Sequence, residues 1–234
     1  MVFLTNNSGP TVAEYVAALG AVGIECSPED LATSAQAAAS LLSPGARVAL
    51  VGDAGAREAL ESRGVVVVNA GERPDAVVVG RQVELDYWVL AAAASAVRAG
   101  ARFIATNADA TFPTGGPAGA KGGGGHAGGE GGLLPGAGAL VAFVATAAGR
   151  GAEVAGKPHA PMAALVSARF GELSMMAGDR PDTDGRFAKL VGARFGLVLS
   201  GVTRPSDLPV DPTPDLVGDD LLALAHQYLA ARGA

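Results

Sequence analysis

A polar segment directly after the first apolar run carries groups suited to binding an oxyanion. Thr5-Asn6-Asn7-Ser8 follows Val2–Leu4, which reads as a short buried strand. A hydroxyl followed by backbone N–H groups at the carboxyl end of a strand can hold a phosphate. The same residues also suit an ordinary turn with capping side chains. By itself, therefore, the segment leaves both interpretations open.

Charged side chains recur after two later apolar stretches. Lys157 lies in a Gly-Lys-Pro turn and suits a phosphate or carboxylate partner, although a solvated lysine explains it equally simply. Asp179, Asp182 and Asp184 fall within six residues, directly after the run 174–177. Clustered carboxylates repel one another unless a cation or a basic group neutralises them, and Mg²⁺ prefers such oxygen ligands. Without that role, the acidic segment would be an ordinary turn.

These segments sit in an alternation of short apolar runs and helix-length stretches. Continuously apolar runs of β-branched residues are typical of strands buried on both faces. The alternation predicts an α/β fold with a mostly parallel sheet. The predicted strands are 2–4, 48–51, 65–68, 76–79, 103–105, 174–177 and 195–199. The predicted helices are 11–21, 29–42, 56–62, 85–98, 137–148, 161–169, 185–192 and 219–232.

Composition excludes several classes of protein. The chain has 234 residues, a net charge of −6 and a pI of about 5.0, which argues against nucleic-acid or anionic-lipid binding. Mean hydropathy is +0.31, but no apolar run approaches the roughly 20 residues of a membrane span. A single cysteine and no leader-like N-terminus favour a cytoplasmic location. The glycine-rich segment 114–132, with His126, reads as a flexible surface loop.

The ordered set Thr-Asn-Asn-Ser, Gly-Lys-Pro and Gly-Asp-Arg-Pro-Asp-Thr-Asp resembles motifs II, III and IV of the haloacid dehalogenase (HAD) superfamily phosphatases. The resemblance is to class IIA, the p-nitrophenyl-phosphatase type, and covers almost the whole chain. It implies a Rossmann-like parallel-sheet core and an α/β cap inserted between motifs II and III. We therefore expect a core of residues 1–27 and 153–234, lacking its first strand, and a cap of residues 28–152. Strands ending at Leu4, Ala155, Ala177 and Leu199 should be neighbours in one core sheet.

The resemblance also implies roles for individual residues in the hydrolysis of small phosphomonoesters, such as sugar, glycerol or p-nitrophenyl phosphate. Thr5, Asn6 and Asn7 would bind the phosphoryl oxygens, and Lys157 would neutralise their charge. Thr5, Asn6 and Lys157 would thus form the catalytic set that remains in the chain. Thr5, Lys157 and Asp179 should converge within roughly 10 Å at the carboxyl ends of the strands.

Metal and cap residues follow from the same resemblance. Asp179 would bind Mg²⁺, and Asp184 would support the metal directly or through water. Asn107 and Asp109 would lie on the cap side, near the leaving group. The ligand would be a small phosphorylated metabolite, and a homodimer through the cap is compatible with the family.

One departure from the family concerns the nucleophile. In the family a catalytic aspartate of a first Asp-x-Asp motif forms an aspartyl-phosphate, but Asp182-Thr183-Asp184, the one such spacing here, belongs to motif IV. Either a start codon assigned too far downstream or a real truncation of the gene would explain why the first motif is missing. The chain is therefore expected to be inactive as written, and enzyme status stays open. The alternative is a non-catalytic pseudoenzyme that binds a phosphorylated ligand. A nucleotide-binding loop at 48–55 is disfavoured, because its glycine spacing does not fit the phosphate-binding fingerprint.

Overall fold

The structure is a computed structural model that describes residues 1–113 and 133–231, and these form two compact units. The first unit is Met1–Gly156, and the second begins at Lys157. The predicted loop 114–132, with His126, lies outside the described residues. The expected division into a core of 1–27 and 153–234 and a cap of 28–152 stays a prediction.

Strands and helices alternate along the described residues, as the sequence predicts. The strands are β1 (Phe3–Thr5), β2 (Leu31–Thr33), β3 (Arg47–Val51), β4 (Val66–Val68), β5 (Ala76–Val79), β6 (Arg102–Ala105), β7 (Thr111–Pro113), β8 (Leu133–Pro135), β9 (Glu153–Val154), β10 (Met175–Gly178), β11 (Arg194–Val198) and β12 (Leu216–Gly218). The α-helices are α1 (Val12–Ala21), α2 (Ser34–Ser40), α3 (Ala54–Ser62), α4 (Tyr87–Arg98), α5 (Ala137–Ala148), α6 (Ala160–Phe170), α7 (Arg186–Leu190) and α8 (Leu221–Ala230). Short 3₁₀ turns cover Pro28–Asp30, Ala70–Glu72 and Pro205–Asp207, and a π-helical turn covers Pro181–Gly185.

The first unit is built on a parallel sheet in the order β4-β3-β5-β6-β9. Helices α4 and α5 cover one face of it, where Val77, Val79, Val97 and Val144 are fully buried. Many of the side chains between sheet and helices are alanines, so the layers approach closely and the core depends on packing of small groups. The α/β prediction with a parallel sheet is confirmed. An antiparallel pair, β7 with β8, is also present.

The predicted helix over 29–42 is wrong in its first half. Ser27 opens only the 3₁₀ turn, and its backbone N–H donates to the Asp30 carboxylate at 2.8 Å. The chain then extends as β2, which is fully buried and pairs in parallel with β1. The helix starts afterwards at Ser34, with Thr33 and Gln36 forming a capping box. Burial against β1 outweighs the helix propensity of this segment.

The expectation that four strands share one core sheet is also wrong. β1 pairs with β2, whereas β9 joins β6 in the larger sheet, and β10 and β11 lie in the second unit. Hydrogen bonds explain the placement of β9: the N–H groups of Ala155 and Gly156 continue its ladder to the carbonyls of Ala105 and Thr106, at 2.9 and 2.7 Å. A strand belongs to the sheet that satisfies its backbone groups.

The second unit contains a parallel sheet in the order β10-β11-β12. Phe187 of α7, Leu197 of β11 and Leu224 of α8 have no exposed area, and they mark its core. Across residues 1–113 and 133–231, no helix is long and apolar enough to cross a membrane.

Candidate functional site

The loop after β1 is held by hydrogen bonds from its own residues. The Asn7 N–H donates to the Thr5 hydroxyl oxygen at 3.1 Å, and the Gly9 N–H donates to the Asn7 side-chain oxygen at 3.1 Å. The Tyr15 hydroxyl of α1 donates to the Asn7 carbonyl at 2.8 Å. The turn is therefore fixed from both sides, and the Thr5 hydroxyl is itself in hydrogen-bond contact with the Tyr15 phenol.

Tyr15 is a neutral donor in this loop. Burial raises the pKa of its phenol to about 12, against opposing contributions from the hydrogen bond with Thr5 and the charge of Arg81. At neutral pH the phenol keeps its proton, so it can hold the Asn7 carbonyl in place.

Asn6 is the centre of a buried network that reaches the start of α2 and the loop after β6. Its carbonyl accepts from the Ser34 hydroxyl at 2.5 Å and from the Asn107 amide at 2.6 Å. Its own amide donates to Asp109 at 3.2 Å, and the Asn107 side-chain oxygen accepts from the Asp109 N–H at 3.0 Å. The structure thus brings two residues predicted from the cap side, Asn107 and Asp109, against the loop after β1. Their role towards a substrate stays a prediction.

Close backbone approach is needed where Gly156 meets this network. A Cβ on residue 156 would lie 2.6 Å from the Asn6 side-chain oxygen and 2.6 Å from the Thr106 carbonyl. Those distances are shorter than a van der Waals contact, so only glycine fits without displacing Asn6. The glycine before Lys157 therefore positions the loop after β1 within the first unit.

The sequence interpretation missed the supporting role of Ser8, Ser34 and Thr106. All three are fully buried, and the Thr106 hydroxyl donates to that of Ser8 at 3.0 Å. For Thr106 the signal was present, because it directly follows the predicted strand 103–105, to which the strand-end rule applies. Ser34 directly follows β2, a strand that the sequence did not predict, so the rule could not have found it.

In the second unit, Lys157 and Asp184 form a buried ion pair. The Lys157 Nζ lies 2.6 Å from one carboxylate oxygen of Asp184, and the two side chains are 8% and 7% exposed. The other carboxylate oxygen accepts from the Arg180 N–H at 3.2 Å. The π-helical turn 181–185 brings Asp184 back to Lys157, and Gly178 leaves no space for a side chain beside it.

Asp179 is oriented by the loop after β11. The Val202 N–H donates to one of its carboxylate oxygens at 2.7 Å, and the Thr203 hydroxyl donates to its carbonyl at 2.6 Å. A Cβ on Gly201 would overlap the same carboxylate. Asp182 differs from both neighbours, because its side chain is 59% exposed and its carboxylate lies 3.6 Å from the Arg180 Nε.

The carboxylates of the second unit fit a magnesium ion only in part. Within residues 1–113 and 133–231, no three His, Cys, Asp or Glu side chains are grouped as metal ligands. Asp184 uses both oxygens for Lys157 and Arg180, whereas Asp179 has one oxygen engaged by Val202. Mg²⁺ is often held by one or two carboxylates together with waters and substrate phosphates. Such a site is compatible with direct binding by Asp179 and support from Asp184 through water.

The predicted site residues fall into both units. Thr5, Asn6, Asn7, Asn107 and Asp109 belong to the first unit, where hydrogen bonds connect them. Lys157, Asp179 and Asp184 belong to the second. The predicted convergence of Thr5 with Lys157 and Asp179 stays a prediction.

Comparison with known proteins gives consistent matches. A haloacid dehalogenase-like hydrolase family model matches residues 1–66, and a HAD-hydrolase-like model matches residues 154–224. D-glycerol 3-phosphate phosphatase of Mycobacterium tuberculosis is 39% identical over 234 residues, which is 96% of this chain and 62% of the relative. Acid sugar phosphatase of Staphylococcus aureus is 34% identical over 213 residues, covering 88% of this chain and 76% of the relative.

Solved structures agree with the sequence matches. The crystal structure of glycerol phosphate phosphatase from M. tuberculosis in complex with magnesium superimposes with a TM-score of 0.82 at 38% identity. The match covers 95% of this chain and 66% of that one. This chain therefore spans a little under two thirds of the length of its M. tuberculosis relative.

Proposed function

The chain belongs to the haloacid dehalogenase-like hydrolases, and on that premise we propose that its site is that of a phosphatase acting on small phosphomonoesters. The relatives named above are phosphatases for glycerol phosphate and for acid sugars. One observation carries the proposal: the buried pair of Lys157 and Asp184, at 2.6 Å. A buried ion pair adds little to stability compared with apolar packing, so its presence at a strand end favours a role in ligand binding.

The loop after β1 supplies donors for the phosphoryl oxygens. The Thr5 hydroxyl donates one hydrogen bond and the Asn6 backbone N–H another, while Asn7 fixes the turn. The buried network of Asn6 with Ser34 and Asn107 keeps these donors preorganised. Donors held in place before the ligand arrives stabilise charge without reorganising.

Lys157 neutralises negative charge on the phosphoryl group. Asp184 holds its ammonium in one position, because the second carboxylate oxygen of Asp184 is itself fixed by the Arg180 N–H. An oriented cation of this kind lowers the energy of an anionic ligand and of a phosphoryl transition state.

Asp179 is the proposed magnesium ligand. Val202 and Thr203 orient it. Asp184 would support the metal through water. Magnesium, when bound, neutralises phosphoryl oxygens and aligns them for attack. Asn107 and Asp109 face the part of the substrate that leaves.

Hydrolysis also needs a nucleophile, and the residues of this chain do not provide a suitable one. The family's aspartyl-phosphate route starts from an Asp-x-Asp motif, and the one such spacing here is Asp182-Thr183-Asp184. Asp184 is paired with Lys157, and Asp182 points to solvent. The Thr5 hydroxyl contacts the Asn7 N–H and the Tyr15 phenol, neither of which is a base at neutral pH. The chain by itself therefore binds phosphomonoesters without hydrolysing them, which is also what the pseudoenzyme alternative requires.

Residues 28–152 are the proposed cap, and a homodimer through it is a further proposal. Helix α4 exposes Tyr87 and Trp88, at 64% and 76%, and Tyr87 lies edge-to-face with Phe143 of α5 at 6.2 Å. Sedimentation of the wild type and of Trp88→Ser tests it. A monomeric wild type, or a dimer that Trp88→Ser leaves intact, removes this surface as the interface.

Calorimetry and a colorimetric assay test the function together. We expect the wild-type chain to bind inorganic phosphate and glycerol 3-phosphate in MgCl₂, and Lys157→Met to weaken both at least tenfold. Lys189→Met is the matched control, because Lys189 is an exposed lysine of α7. A wild type that binds neither ligand contradicts the proposed function. Release of p-nitrophenol at ~1–100 per second would show instead that a nucleophile is present.

A further inference from the structure

Arg81 has a fixed backbone position beside the loop after β1. It follows β5 and Gly80, its N–H donates to the Ser8 hydroxyl at 3.0 Å, and its carbonyl accepts from the Asp53 N–H at 2.9 Å. Gly80 leaves no room for a side chain, since a Cβ there would lie 2.7 Å from the Ser8 hydroxyl. The loop after β5 and the loop after β1 are therefore locked together at Arg81.

The guanidinium of Arg81 lies between the loop and an aromatic ring. Its terminal nitrogen packs on Gly9, where a Cβ would overlap it, and its central carbon lies 4.8 Å from the Phe112 ring centre. Stacking on an aromatic face occupies the plane of a guanidinium and leaves the N–H groups at its edge available. The packing thus orients the donors of Arg81 without using them.

The Nε donor of Arg81 has no acceptor in residues 1–113 and 133–231. The Nε is out of contact with solvent and makes no hydrogen bond there, and the guanidinium forms no ion pair within that part of the chain. The Arg81 charge lowers the pKa of the Asp53 carboxyl, and so does the hydrogen bond from the Val83 N–H. Burial raises this pKa by more, so the net pKa shift of Asp53 is upward. A desolvated Nε–H without a partner is costly, so the half-buried guanidinium favours an anion supplied from outside the chain.

From these contacts we infer that Arg81 is a specificity residue, which binds a second anionic group on the leaving part of the phosphomonoester. The inference rests on the proposed function, in which Thr5, Asn6 and Lys157 already serve the phosphoryl group. Arg81 is attached to the same loop farther along, at Ser8 and Gly9, so it meets a different part of the ligand. The ligand class is a small phosphate ester that also carries an oxyanion, such as a carboxylate or a second phosphate.

A matched pair of ligands tests the inference on the full chain in MgCl₂. Glycerol 3-phosphate and 3-phosphoglycerate differ in one end group, a hydroxymethyl in the first and a carboxylate in the second. We expect the wild type to prefer 3-phosphoglycerate by about ten- to hundredfold in Kd, the range of a charged hydrogen bond. Arg81→Gln should remove that preference while changing the Kd for glycerol 3-phosphate less than twofold. The Kd for a third ligand, glycerol bisphosphate, shows whether Arg81 prefers a carboxylate or a second phosphate.

Two variants separate recognition from general effects of charge. Arg81→Lys keeps the charge but loses the planar fork, so it should retain only part of the preference. Arg57→Gln removes an exposed arginine of α3, which pairs with Glu61 at 3.4 Å, and should leave the preference unchanged.

The outcomes distinguish this inference from the proposed function. A wild type that binds both ligands equally, or an Arg81→Gln chain that loses both equally, overturns the role of Arg81 while the phosphate site stands. A wild type that binds neither ligand nor inorganic phosphate overturns the proposed function, and this inference fails with it.

Discussion

Removing the positive charge from the buried ion pair should destabilise the second unit strongly. Lys157→Met keeps the length of the side chain, but leaves Asp184 buried, with the exposed fraction of its side chain at 7%, and without its partner at 2.6 Å. Breaking a buried pair by removing one partner costs about 3–5 kcal/mol, because the remaining charge is desolvated and uncompensated. For a chain of this size each kcal/mol lowers Tm by roughly 2–4 °C, so we expect a loss of about 6–20 °C.

A double-mutant cycle measures how much of that loss belongs to the pair. Asp184→Asn should also destabilise, because it removes the carboxylate charge that compensates the buried Lys157 ammonium. The double variant leaves neither charge, so it should be less destabilised than the sum of the two single variants by at least about 2 kcal/mol. The assay is thermal unfolding followed by circular dichroism at neutral pH.

An exposed lysine provides the control for this cycle. Lys189→Met removes the same charge from a solvated position of α7 and should change the free energy of unfolding by less than about 0.5 kcal/mol. The reasoning would be refuted by a Lys157→Met chain within 1 kcal/mol of the wild type. Strict additivity of the two single variants would refute the coupling as well.

Three further predictions concern the metal, Tyr15 and the close approach at Gly156. Mg²⁺ should bind the chain only weakly in calorimetry and lose its remaining affinity in Asp179→Ala, since few carboxylates are grouped there; micromolar affinity would contradict this. Because burial raises the Tyr15 pKa from 10.0 to about 12, the unfolded chain ionises this phenol first, so stability should fall as pH rises between those values, and less steeply in Tyr15→Phe. Gly156→Ala should cost about 1–3 kcal/mol and weaken phosphate binding, because its Cβ meets two oxygens. Gly151→Ala, with nothing within 4 Å of its Cβ, should be nearly neutral in the same unfolding experiment.

The sequence predicted most of the secondary structure because buried parallel strands are continuously apolar. The runs 48–51, 76–79 and 103–105 correspond to β3, β5 and β6, and the predicted helix 137–148 has the bounds of α5. Strands without such a run were missed: β9 has only two residues, and β12 has three, Leu216–Gly218. These short strands form because neighbouring strands offer them backbone partners, which a sequence pattern does not reveal.

For the candidate site, the sequence by itself determined which side chains stand at strand ends. The Thr-Asn-Asn-Ser segment at the end of β1 and Asp179 after β10 follow from that rule, and the family follows from the order of the motifs. Only the tertiary structure decided the partners: that Asn107 and Ser34 hold the Asn6 carbonyl, that Lys157 pairs with Asp184, and that Arg81 packs on Gly9. These residues are far apart in the chain, and their contacts depend on strand pairing and on close approach at glycines. Local sequence patterns indicate where the strands end, whereas the distances between residues at those ends are set only when the sheets have formed.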